Sequence, residues 1–448
     1  MNEQHAARVC VVGSGAREHA LAQVLARSAD VVVTPGNPGI SGRSAEGHKL
    51  ESTPAPPEEV EADLYVIGPE EPLVGGLADK LRSRGCLVFG PGADGARLEG
   101  SKEFMKRCAT EAGVPTARWG AFSAVDEATR YLRSWPGPYV VKTDGLAAGK
   151  GVLVTDDVEE AERDVAAKLS GAAFGEAGRR VVIEEALQGT ELSLLVVCDG
   201  HHAVPLAPAQ DYKRVGTGDT GPNTGGMGAF SPVPNATADV VGTTMDTIVE
   251  PTLRELRRAG IDYRGVLYAG LMLTSDGPRL IEYNVRFGDP EAEVVLPRLA
   301  TDLTDLLAAA ARGAEPVPVG GARPATSRTS SSRNGIGGPA GAASFVEDAA
   351  VGVVVAAPGY PLAPHTGDPI EGLNEAGRVE GVTVFHAGTG RDARGTLRTA
   401  RGRVLVVTAL GRSLEDARER AYRGVAEIGF EGMQYRLDIA AGIAGGST

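Results

Sequence analysis

Lys142-Thr-Asp-Gly-Leu-Ala-Ala-Gly-Lys-Gly-Val152 and Ile281-Glu-Tyr-Asn-Val-Arg-Phe-Gly-Asp-Pro-Glu291 are the two stretches that decide the fold. Around the first, apolar runs at Tyr139–Lys142 and Val152–Thr155 read as strands joined by a glycine-rich loop. Glycines let backbone amides approach phosphate oxygens, and Lys142 and Lys150 add positive charge. This is not a Walker A loop, because residue 151 is glycine where a hydroxyl should stand and a strand follows where a helix should. Taken alone, the loop has a weaker alternative reading as a Gly-rich hairpin turn. In the second stretch the two-residue period of a strand places Glu282, Asn284 and Arg286 on one face. Carboxylate and amide oxygens suit Mg²⁺, which keeps waters and bridges nucleotide phosphates. A guanidinium beside them can stabilise charge on a phosphoryl group in transit. A merely solvated face fits poorly, since Ile281, Tyr283 and Val285 opposite are apolar and asparagine is disfavoured inside a strand.

Outward from these stretches the chain divides into regions. From Arg8 to about Gly100, short apolar strands (Val9–Val12, Val31–Val33, Leu64–Ile67, Leu87–Phe89) alternate with helices such as Arg17–Arg27. That alternation predicts βαβ units and a parallel sheet, with ligands beyond the carboxyl ends of the strands. Residues 101–312 follow, opening on helix Lys102–Ala112 and carrying a compact part at 117–190. They include a polar loop, Gln210–Gly228, a helix near Asp239–Ala259, and strands Val266–Thr274 and Arg279–Val285. Residues 313–343 are rich in Gly, Ala, Pro, Ser and Thr and read as a flexible linker or insertion. Strands Val351–Ala357, Val382–Ala387 and Arg403–Ala409 and helix Ser413–Ile428 make a C-terminal domain over 344–448.

The 448 residues suffice for about three domains. A net charge of −13 argues against nucleic acid or an anionic membrane as partner. No apolar run approaches the roughly 18 residues of a membrane span. Four scattered cysteines without CxxC spacing point to neither zinc nor disulfides, and a cytoplasmic location is expected. Only eight of the 45 basic residues are lysine. In a chain this biased to arginine, each lysine can mark a place that needs a compact ammonium. Gly13-Ser-Gly15 could suggest dinucleotide binding, but Glu18 stands at the third glycine position. The second strand also ends Val33-Thr-Pro35, without the acid that holds an adenine ribose.

The two stretches, in this order, resemble the ATP-grasp superfamily, and more closely the phosphoribosylamine–glycine ligase family of purine biosynthesis. The resemblance is carried by GSGAREHAL (13–21), PGNPG (35–39), GPEEPLVGG (68–76), LEGSKEFMK (98–106), KTDGLAAGKGV (142–152) and VIEEALQGTELS (182–193). It continues through QDYKRVGTGDTGPNTGGMGAFSP (210–232), GVLYAGLM (265–272), IEYNVRFGDPE (281–291), TGD (366–368) and FHAGT (385–389). It implies an α/β chain: a Rossmann-like parallel-sheet domain (1–100), an ATP-grasp domain (101–312) whose lid is 117–190, and a small α+β domain. Two positions depart from the family: Ala16, where Gly is frequent, and Glu293, where Gln is common.

The resemblance implies ATP, with Mg²⁺ or Mn²⁺ on Glu282 and Asn284, and glycine and 5-phosphoribosylamine as the other substrates. Lys102, Lys142, Gly149, Lys150 and Gly151 would attend the phosphates. Glu184, Glu185 and Leu187 would form the adenine hinge, and Glu191 would take the ribose. Phosphoribosylamine would touch Gly13, Gly15, Asn37, Gly39, Glu70, Gly288 and Asp289, reaching Asp211, Lys213 and Arg286. Lys142, Asp211, Lys213 and Arg286 would act in catalysis through a glycyl phosphate. Lys106 reads as a helix-surface residue, and His19 as packing at a helix start. A monomer is expected, with a weak dimer as the alternative.

Overall fold

The computed structural model describes residues 7–146, 151–171, 179–313 and 343–443. The composition-biased stretch expected to be a linker lies, apart from its end residues, outside them.

Strand Arg8–Gly13 is apolar and buried from its second residue on, as befits a parallel strand covered on both faces. It sits between Asp30–Pro35 and Leu64–Ile67, pairing in parallel with each. The full order of this sheet is Gly42–Arg43, Lys49–Ser52, Asp30–Pro35, Arg8–Gly13, Leu64–Ile67, Val88–Phe89. The strand order reverses direction at Arg8–Gly13, so its carboxyl end opens a crevice there.

The compact part is an antiparallel sheet ordered Trp119–Phe122, Val181–Glu185, Tyr139–Thr143, Val152–Thr155. Helices Val125–Leu132 and Val158–Leu169 cover it around a separate small core that includes Val141, Ile183, Leu132 and Val165. The central sheet pairs Thr190–Asp199 with Arg264–Thr274 residue for residue, then Arg264–Thr274 with Gly277–Asn284. In that last pairing, Gly270 faces Glu282 and Leu271 faces Leu280, which leaves Ile281 as a bulged extra residue. Strict alternation put Ile281 opposite Glu282; the bulge instead brings it to the cleft wall beside Glu282.

The helix expected near 239–259 is one helical run with a π-turn at Met245–Val249, between Ala238–Thr244 and Glu250–Arg258. Pro251 lacks an N–H and its ring presses on the carbonyl four residues back, and the widened turn accommodates this.

The expected polar loop at 210–228 holds short strands. Gln210–Asp211 pairs with Gly228–Ser231, and Gly228–Ser231 pairs antiparallel with Ala349–Ala356 of the C-terminal region. One five-stranded sheet thus runs Gln210–Asp211, Gly228–Ser231, Ala349–Ala356, Arg403–Gly411, Val382–His386 across the expected domain boundary. These strands escape a sequence reading because they are short and glycine-rich and their partner is remote. Helix Leu414–Glu427, capped by Ser413 Oγ accepting from Asp416 N, closes the sheet. No helix among the described residues is long and apolar enough to cross a membrane.

Leu267 is fully buried in the central sheet. Leu267→Ala should cost about 2–5 kcal/mol, as large-to-small core changes do, read as a lower midpoint in urea with an unchanged slope.

Candidate active site

A cleft of about 1280 Å³ opens where the first sheet, the compact lid, the central sheet and the C-terminal region meet. Lys102 is the first residue of helix Lys102–Glu111, whose cap is Ser101 Oγ accepting from Phe104 N. Its Nζ lies 3.1 Å from Glu282 Oε2 on the central sheet. Against the cost of burial, Glu282 and Glu99 raise the Lys102 pKa. Lys102 in turn, helped by Lys142 and Lys213 against burial, holds Glu282 well below the usual carboxylate range. Glu282 is thus an anion within a ring of ammonium groups.

Lys142, on the lid, is 5% exposed, and its Nζ lies 2.8 Å from Glu184 Oε1. Glu184 is not a solvated strand end: it is 3% exposed, with Lys106 Nζ 2.6 Å from its other oxygen. Burial disfavours its charge, but Lys142 and Lys106 outweigh that and lower its pKa. Glu185 and Leu187 follow it along the cleft wall.

On the opposite wall, Lys213 Nζ is 2.6 Å from Glu191 Oε2. Burial, reinforced by Glu291 and Glu191 and opposed by Lys213, pushes the Asp211 carboxyl up to about 7. Where the first sheet adjoins, Arg286 places Nε 3.2 Å from Glu70 Oε2 and Nη2 2.9 Å from Glu99 Oε1. Its Nη2 also donates to Asn284 Oδ1 at 3.3 Å. Burial opposes it, yet Arg286 and Arg17 lower the Glu70 pKa. Arg403, from the C-terminal region, donates to the carbonyls of Gly225 and Asp289 and lies 3.1 Å from Asp289 Oδ1.

Comparison with known proteins accounts for these three walls. Models of the N, ATP-grasp (A) and C domains of phosphoribosylglycinamide synthetase match residues 7–99, 100–292 and 350–442. The phosphoribosylamine–glycine ligase of Streptomyces coelicolor is 47% identical, over 98% of this chain and 100% of its own. The chain belongs to the phosphoribosylamine–glycine ligase family. The corresponding enzyme of Leifsonia xyli is 46% identical over 97% of this chain and 99% of its own. The crystal structure from Thermotoga maritima superposes with a TM-score of 0.77 at 35% identity, covering 96% of this chain and all of that one. The biotin carboxylase domain of the Hydrogenobacter thermophilus 2-oxoglutarate carboxylase, solved with MgADP, has a TM-score of 0.67 at 17% identity. It covers 97% of this chain and 92% of its own and shares the ATP-grasp fold.

Of the residues that the family resemblance singled out, Lys102, Lys142, Gly151, Glu184, Glu185, Leu187, Glu191, Asp211, Lys213, Glu282, Asn284, Arg286, Glu70 and Asp289 line this one cleft. Gly149 and Lys150 lie outside the described residues. Five others, Gly13, Gly15, Asn37, Gly39 and Gly288, are not among the residues lining this cleft. Gly13 and Gly15 make room for the Glu18 carboxylate, which would collide with a Cβ on Gly13 and accepts from Gly15 N at 2.6 Å. The acid at the third glycine position thus takes the amide that a dinucleotide phosphate would use. Asn37 spends its amide on backbone: Nδ2 donates to Ser14 O (3.1 Å) and His386 O (2.8 Å), and Oδ1 accepts from Gly39 N (3.0 Å). Gly39 packs against the His386 ring, and Gly288 against the Glu291 carboxylate. These five pack at the junction of the regions, next to the residues that line the cleft.

His19 fulfils its expected packing role, accepting from His386 N at Nδ1. Burial, then His386, pushes its pKa down to about 3, so it stays neutral. Lys106, read as a surface residue, is fully buried. Sequence reasoning also missed Arg17, Glu99 and Arg403. Arg17 and Glu99 stand inside quoted motifs, so their positions were visible although their partners were not. Arg403 carries no local signal, because strand Arg403–Gly411 reads as ordinary core.

Two variants test these placements. Asn37→Ala should destabilise the chain by about 1–3 kcal/mol, the cost of orphaned buried polar groups, while KM for every substrate stays unchanged; a raised KM for phosphoribosylamine would restore a ligand role. Glu293, the departure from the family's glutamine, is fully buried with neither oxygen hydrogen-bonded. Burial foremost, then Asp289, raises its pKa well above the usual range. A carboxyl raised on folding costs stability as pH climbs above its unfolded value near 4.3. Glu293→Gln should therefore raise Tm at pH 7.5, with the gain vanishing near pH 4; equal gains at both pH values would disprove the charge argument.

Proposed function

We propose that the cleft joins glycine to 5-phosphoribosylamine at the expense of ATP, giving glycinamide ribonucleotide, ADP and phosphate by way of glycyl phosphate. In de novo purine biosynthesis this is the second step. The observation that carries the reading is the meeting of Lys102, Lys142 and Lys213 around the ionised Glu282 in a cleft that also holds Arg286 and Asp211. It is an array for a polyanion beside groups suited to an acyl transfer, and the relatives' names state the same chemistry.

Lys102 and Lys142 hold the nucleotide phosphates. The amides of Glu185 and Ala186 are already bonded to the carbonyls of Arg118 and Pro138, so Leu187 presents its backbone to the adenine. Glu191 faces the ribose hydroxyls. A divalent cation, Mg²⁺ or Mn²⁺, fits the two oxygen donors Glu282 and Asn284, because such ions take only one or two protein ligands when phosphates and water complete the shell. When bound it would offset charge on the phosphates. Among the described residues no group of three or more His, Cys, Asp or Glu offers an alternative site.

Glycine's carboxylate oxygen attacks the γ-phosphorus and ADP departs. The amine of phosphoribosylamine then attacks the acyl carbon, the C–O bond to phosphate breaks, and an amine proton is released. Arg286 steadies the transferring phosphoryl group, and Asp211, raised to near neutrality, is placed to receive that proton. Glu70, Lys213 and Asp289 orient the phosphoribosyl moiety. Positioning and charge neutralisation suffice without a covalent enzyme intermediate. The lid keeps water from the acyl phosphate. Free cysteines at 10, 86, 108 and 198 accord with a reducing cytoplasm.

In a coupled assay, ADP release should need glycine and phosphoribosylamine together; robust turnover with bicarbonate or D-alanine instead would move the chain to a carboxylating or peptide-forming chemistry. Glu282→Gln with Asn284→Ala should cut turnover by roughly 100-fold or more, the scale of losing a charge-stabilising group, with unchanged circular dichroism. Near-normal turnover would sink the metal assignment.

A further inference from the structure

Lys106 is the buried charge that this reaction leaves unused. It lies one helical turn beyond Lys102 on helix Lys102–Glu111, hence on the same face, and none of its surface is exposed. Its Nζ is 2.6 Å from Glu184 Oε2 and donates to Thr116 Oγ1 at 2.8 Å. Thr116 Oγ1 donates in turn to Leu280 O at 2.7 Å, two residues before Glu282. Glu184 is therefore shared. One oxygen lies 2.6 Å from Lys106 and the other 2.8 Å from Lys142.

We propose that Lys106 is a positioning residue for ATP: by anchoring Glu184 and sharing its charge, it leaves Lys142's ammonium and its N–H donors free to face the nucleotide phosphates. The proposal rests on the reading of Lys142 as a phosphate contact. Without Lys106, Glu184 and Lys142 would form an isolated neutral pair, and the carboxylate would draw Lys142's donors away from the cleft. With it, the three groups carry one net positive charge, directed to the side where ATP lies. Stability does not demand the arrangement, because well-packed apolar groups commonly replace buried ion pairs without loss. Nor would arginine serve, since a planar fork is larger and less easily shared at a fully enclosed corner. In a chain with eight lysines among 45 basic residues, this one touches no ligand in the reading above yet occupies a site that needs an ammonium.

The test is a double-mutant cycle on the full chain, with ADP binding read by titration calorimetry so that inactive variants remain measurable. Lys142→Met should weaken ADP binding about tenfold or more. Lys106→Met should also weaken it about tenfold alone, yet less than about twofold in the Lys142→Met background. In turnover it should raise KM for ATP while leaving KM for glycine unchanged. Independent, additive losses, or a Lys106→Met protein that melts lower but binds ADP normally, would overturn the proposal. Unchanged affinity in Lys142→Met would instead overturn the phosphate reading beneath it. Lys106→Gln, which can keep the Thr116 hydrogen bond, is read the same way if the Met variant does not fold. If neither folds, the role is structural and the proposal falls.

Discussion

Cations gathered to grip a polyanion repel one another until the polyanion arrives, and this constraint shapes the cleft. Five of its positive groups are held beside acids: Lys102 by Glu282, Lys142 by Glu184, Lys213 by Glu191, Arg286 by Glu70 and Glu99, and Arg403 by Asp289. Several of these groups are partly or wholly buried, where Coulombic forces act at reduced screening. The pairing therefore decides whether the site can exist empty. It also explains why one cleft draws on every region of the chain. No single sheet edge could supply so many acids without setting like charges side by side.

The fold realises that constraint through strand ends. The carboxyl end of the first sheet delivers Glu70, the lid delivers Lys142 and Glu184, and the central sheet delivers Glu191, Glu282 and Asn284. The bulge at Ile281 is part of this delivery. It interrupts strict alternation, so an apolar residue reaches the cleft next to Glu282. Neutral His19 and the fully spent amide of Asn37 lock the first sheet to the C-terminal region without adding charge nearby.

Much of this was legible in the sequence because period and glycine placement are local signals. The strand Leu64–Ile67, the paired strands Tyr139–Thr143 and Val152–Thr155, and the Glu282/Asn284 pair could be read directly. What stayed hidden depended on partners far along the chain. Lys106 looked like a surface residue because its helix gives no hint of Glu184, 78 positions later. The protein contacts of Gly13, Gly15 and Asn37 stayed hidden too, because glycine and asparagine in a loop suit a phosphate as well as they suit a buried carboxylate or backbone. The strands within 210–231 were hidden because two to four residues carry no periodicity, and Gly228–Ser231 gains its place only by pairing with Ala349–Ala356.

That pairing orders events during synthesis. Residues 228–231 leave the ribosome well before 349–356, so the central region emerges with an open strand edge at the place where Asp211 and Lys213 must be fixed. The edge closes only when the last quarter of the chain appears. A nascent or prematurely terminated chain therefore carries an unfinished pocket.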